Sequence, residues 1–80
     1  MYNFITIREE VDNLLKNIVY LRKKNNLSKK TMSEKIGISV YSLNIIEKGE
    51  LPKGATVQIL FNIEKGFGIS PSQQFIKLEK

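Results

Sequence analysis

The chain has 80 residues, 41% of them hydrophobic and 26% charged, a composition that suits one small domain with one modest core and excludes a disordered chain. It contains no cysteine and no histidine, which removes a disulfide framework, the usual zinc sites and histidine-based acid–base catalysis. The formal net charge of +5 is unevenly placed: residues 1–21 carry −1, residues 22–53 carry +5 and residues 54–80 carry +1.

In chain order, Met1 to Ile5 is apolar and slightly strand-like, and it lacks the basic start and long apolar region of a signal peptide. The first helix is expected from about Ile7 to Asn25, with Thr6 and Glu9 as a capping box in which each side chain satisfies the other's free amide. Ile7, Val11, Leu14, Leu15, Ile18 and Leu21 keep a helical period and form its inner face. Asn25-Asn26 ends it, because asparagine tolerates the left-handed conformation that a helix stop needs.

Ser28 can cap a second, short helix whose Met32 and Ile36 fall four apart on one face, with the small Ser33 beside them. Gly37 stops that helix, Ile38 plugs the turn, and Ser39 caps a third helix at about 40–48. On the third helix Leu43, Ile46 and Glu47 share one face, which leaves Val40, Tyr41, Asn44, Ile45 and Lys48 to point outward. Gly49 supplies the next stop, and Pro52 turns the chain away in the loop from Glu50 to Gly54. A fourth helix is expected over Thr56 to Phe67, with Val57, Leu60, Ile63 and Phe67 inward. Ser70-Pro71-Ser72-Gln73 then combines an N-cap, a first-turn proline and a capping-box glutamine, opening a fifth helix through about Phe75 or Ile76. Residues 1–6 and 77–80 are expected to be loose. The longest uncharged stretch, Ile36 to Ile46, is too short and too polar to span a bilayer, so a cytoplasmic, non-membrane protein is expected.

Two short helices around a glycine turn need a third behind them. Such a corner either serves packing alone or is a helix-turn-helix that sets its second helix in the major groove of DNA. The +5 carried by residues 22–53 favours the second reading, because a polyanion partner leaves that electrostatic footprint.

The ordered set Leu21-Arg22, Leu27-Ser28, Gly37-Ile38-Ser39, Ile46-Glu47-Lys48-Gly49-Glu50 and Pro52, followed by Phe67-Gly68-Ile69-Ser70-Pro71, resembles the Xre/Cro–CI repressor family of bacteria and their phages. The similarity covers about Leu14 to Phe75. It implies an all-α, five-helix lambda-repressor-like domain, one domain over residues 1–80, that binds operator DNA as a transcriptional regulator. It also implies a structural ion pair between Arg22 and Glu47 that joins the first and third helices. The sequence departs from the family at Lys29, where glutamine is usual, at Ser33, where alanine is usual, and at Ile45, where a polar residue is common.

On this reading Lys29 suits a phosphate oxygen or the acceptors of guanine, and Asn44 suits adenine or the backbone. Ser42 can donate to a phosphate, and Tyr41 offers a ring to thymine methyls and a hydroxyl to phosphate. Val40 and Ile45 make apolar contacts, while Lys48 and Lys53 meet phosphates. One domain with so few base-reading groups discriminates weakly, so a homodimer on a pseudo-palindromic operator is expected. Phe75, Ile76 and Leu78 are its expected contact. No catalytic constellation, cofactor site, metal site or small-molecule site is evident, and an enzyme is not expected. With a single domain, regulation is expected from protein level, a partner or competition for the operator. The alternative is a protein-binding module, an antitoxin or anti-repressor, using Tyr41, Val40 and Ile45 as an apolar patch.

Overall fold

The computed structural model describes residues 4–79, with side chains from residue 8 onward. Five helices and no strands make up the described chain: α1 Phe4–Lys24, α2 Lys29–Ile36, α3 Val40–Glu47, α4 Gln58–Phe67 and α5 Pro71–Gln74. Their contacts run α1 to α3, α3 to α2, α2 to α4, α4 to α5 and α5 back to α1, a closed circuit around the core. Leu14, Leu15, Ile18 and Leu21 of α1 meet Met32, Ile36, Leu43, Ile46, Ile59 and Ile63 in that core. Each short helix thus buries a stripe that it could not bury alone.

Helix ends are where the sequence controls the path most directly. Ser28 and Ser39 cap α2 and α3, their hydroxyl oxygens accepting from the amides of Thr31 at 3.1 Å and Ser42 at 3.0 Å. Three helices then stop in one manner, with a left-handed residue just past the end: Asn26 at φ 54°, Gly37 at φ 76° and Gly49 at φ 90°. In each case the next amide reaches back five residues, from Leu27 to the Arg22 carbonyl, from Ile38 to that of Ser33 and from Glu50 to that of Ile45. These are Schellman stops, which satisfy carbonyls that the helix itself leaves open. At Ser70 the Gln73 side chain returns to the cap, its Oε1 accepting from the Ser70 amide at 3.1 Å.

Several expectations need correction. The first helix is Phe4–Lys24, so Thr6 lies inside it and is not its N-cap. Residues 4–6 are therefore helical, while residues 1–3 and residue 80 lie outside the described residues, as does the side chain of Ile7. The fourth helix starts at Gln58, later than Thr56, and Val57, placed before its first turn, is 68% exposed. Its inner face is set by Ile59 and Ile63, with Leu60 and Phe67 partly buried beside them.

The segment after α5 is not loose along its whole length, because Asn17 holds it. The Asn17 amide nitrogen donates to the carbonyls of Gln74 at 2.7 Å and Ile76 at 2.8 Å, and its oxygen accepts from the Leu78 amide at 2.9 Å. Phe75 and Leu78 accordingly pack against the core, and of the expected dimer contact only Ile76, 65% exposed, is left on the surface. So short a helix could not bury Phe75 itself; α1 and α4 supply the missing cover.

Candidate nucleic-acid interface

The turn between α2 and α3 sets the interface. With Gly37 in the left-handed region, α2 stops abruptly and α3 leaves it at once. Asn62 of α4 donates to the last α2 carbonyl, that of Ile36, at 3.1 Å, so the turn is braced from behind. Leu43 and Ile46 anchor α3 in the core, which rotates its other face outward.

That face carries Val40, Tyr41, Asn44, Ile45 and Lys48. Tyr41 is 76% exposed, and Val40 is also exposed. Asn44 and Ile45 are half-buried. Ser42 is half-buried as well, its hydroxyl accepting from that of Ser39 at 3.1 Å, and it shares a small hollow with Lys53 of the following loop. Lys48 and Lys53 are exposed.

Behind this face lies the ion pair. Arg22 donates from Nε to Glu47 Oε2 at 2.7 Å and from Nη2 to Oε1 at 3.3 Å, a two-point contact that fixes both planes. Its third nitrogen, Nη1, donates to the Leu27 carbonyl at 3.1 Å. One arginine thus ties α1 to α3 and to the loop that leads into α2. Both side chains are largely buried, at 17% and 15% exposure. A buried pair of this kind contributes orientation more than net stability, since desolvation offsets most of its Coulomb gain.

Lys29 belongs to the same assembly. Its Nζ lies 2.8 Å from Asn44 Oδ1 and 3.9 Å from Glu47 Oε1. Two side chains that the sequence places fifteen residues apart, at the start of α2 and in the middle of α3, therefore meet on the outer surface. Sequence reading named both residues but not their contact. The signal was that each lies on the outward side of helices joined by a turn too short to separate them. It also missed Asn17 and Gln74, whose buried amides steady the scaffold.

The described residues hold no group of acidic side chains able to bind a metal, and none of their helices is long and apolar enough to cross a membrane. What they do hold is a helix-turn-helix: two capped helices around a left-handed turn, backed by a helical core and edged with lysines. The family described as helix-turn-helix matches residues 18–74, more than half of the chain, and the chain belongs to that family in its Xre/Cro–CI-like form, a family of DNA-binding regulators. No curated protein and no solved structure gave a match.

Proposed function

We propose that the protein is a sequence-specific double-stranded DNA-binding regulator of the repressor type, with α3 in the major groove of its operator. The observation that supports this best is the outer face of α3. It joins polar and apolar base-reading groups to Lys29, Lys48 and Lys53, within the segment that carries the chain's excess charge. A groove about 12 Å wide admits a helix with its side chains, and Lys48 and Lys53 beside that helix meet the phosphates of its walls.

The test is binding to random and to selected duplexes across a range of salt. Affinity for both should fall steeply with salt, and Lys53→Ala should weaken both about equally while reducing the salt slope by about 1. Salt-independent binding would sink the proposal. The exposed Tyr41 and Val40 favour one rival reading, a protein-binding module, and salt-tolerant capture of a protein partner with no duplex affinity would establish it.

Two copies on one operator give the discrimination that one helix lacks, and imply half-sites about 34–36 Å apart. The contact we assign is the apolar surface of Leu51, Val57 and Phe61 rather than α5. All three are more than half exposed, Val57 and Phe61 lie one turn apart, and Leu51 and Val57 border the same hollow of about 230 Å3. Its small size fits an association that forms on the operator and is weak in solution. Phe61→Ser should leave the melting temperature near wild type, because the side chain is exposed, yet separate the protection of the two half-sites in footprinting. Unchanged joint protection would remove this surface from the assignment.

A further inference from the structure

We infer, resting on the DNA-binding reading above, that Lys29 and Asn44 act as one unit that selects guanine in each half-site. An ammonium group has three hydrogens and no lone pair, so only the oxygen of the Asn44 amide can face it. The 2.8 Å contact therefore fixes the amide: Oδ1 is turned to Lys29, and Nδ2 is the end presented to the groove. One Lys29 hydrogen is used on Oδ1, and Glu47 Oε1 at 3.9 Å draws the ammonium toward α3 without forming a hydrogen bond. The remaining Lys29 hydrogens and both Asn44 hydrogens make the unit a mainly donating surface, and the second lone pair of Oδ1 is left beside the ammonium.

The bases answer such a surface differently. Guanine alone presents two adjacent acceptors in the major groove, N7 and O6. Adenine presents N7 beside an amino group, and it is read by an asparagine whose oxygen accepts from that amino group while its nitrogen donates to N7. In this protein one lone pair of that oxygen is held by a cation, and an adenine amino group on the other would be brought against the ammonium. Cytosine presents an amino group and thymine a single acceptor beside a methyl group. Lys29 thus biases an adenine-reading side chain toward guanine. A phosphate oxygen is the other acceptor that the same donors could take, and the experiment separates the two.

Duplexes are selected from a random pool with the wild-type protein and with Lys29→Met, a variant of similar length at an exposed position. The wild type should require guanine at one position of each half-site. Lys29→Met should lose that preference by roughly tenfold and gain adenine there, since the freed Oδ1 can accept from its amino group. Placing 7-deazaguanine at that position, which removes N7, should weaken the wild type and leave Lys29→Met unchanged. An identical selected motif for both proteins would overturn the inference. So would an equal loss on every sequence, which would make Lys29 a phosphate contact. Enrichment of no motif by the wild type would overturn both this inference and the sequence-specific reading beneath it.

Discussion

Gly37→Val should destabilise the domain by about 3 kcal/mol, a loss that would lower the melting temperature of so small a domain by more than 10 °C. Two costs act together. At φ 76° a β-branched residue is sterically unfavourable, by about 1–2 kcal/mol for an ordinary residue and more for valine. A Cβ at this position would also stand 2.6 Å from the Asn62 amide nitrogen, so Asn62 must move. Moving it removes the hydrogen bond to the Ile36 carbonyl, worth about 1 kcal/mol, and unbraces the turn. Gly49 separates the two costs, because it too has a positive φ, of 90°, but nothing lies within 4 Å of its Cβ position. Gly37→Ala should therefore cost about 1 kcal/mol more than Gly49→Ala in denaturant unfolding. Equal costs would mean that Asn62 yields freely and that the backbone conformation alone requires the glycine.

The parts of this fold that sequence reading recovered are those decided within a few residues. Ser28 and Ser39 bond amides three positions on, and Asn26, Gly37 and Gly49 stop helices through their own backbone freedom. The α1 stripe of Leu14, Ile18 and Leu21 repeats at the helical period, so it too is legible. What was lost depends on pairs far apart. Val57 and Ile59 are both apolar and both fit an inner face; with α4 starting at Gln58, Val57 is left outside the helix and Ile59 enters the core. Phe75 reads as surplus apolar surface until α1 and α4 are placed around it. Of the interface, the outward face of α3 followed from the period of Leu43 and Ile46, but the Lys29–Asn44 contact did not, because it requires the angle between two helices. An angle of that kind is a tertiary quantity, set here by Arg22, Glu47 and the Asn62 brace.

Asn17 is the residue whose loss should show how the far side of the domain is held. It lies on the apolar stripe of α1, is 2% exposed, and is the sole polar residue between Leu14 and Leu21 on that buried face. Through it α1 satisfies the carbonyls of Gln74 and Ile76 and the amide of Leu78, while Asn13 donates to the Phe75 carbonyl at 3.1 Å. Gln74, fully buried, extends the network by donating to the carbonyls of Leu60 at 2.8 Å and Ile69 at 3.0 Å. Asn17→Leu keeps the branched shape at a larger volume and adds apolar surface, but leaves three backbone groups without their partner. Each would cost about 1–3 kcal/mol if it stayed buried. The segment after α5 can instead swing into water, which caps the net loss at about 2–3 kcal/mol and releases Phe75 and Leu78 from the core. Amide hydrogen exchange should then show the Leu78 amide unprotected and the α5 amides exchanging faster, with those of α2 and α3 little changed below the melting transition. DNA affinity at low temperature should stay near wild type, since the α2–α3 corner rests on Arg22, Glu47 and Asn62 and not on this network. A Leu78 amide that remains protected in Asn17→Leu, with an unchanged melting temperature, would show that apolar packing alone seats the segment after α5.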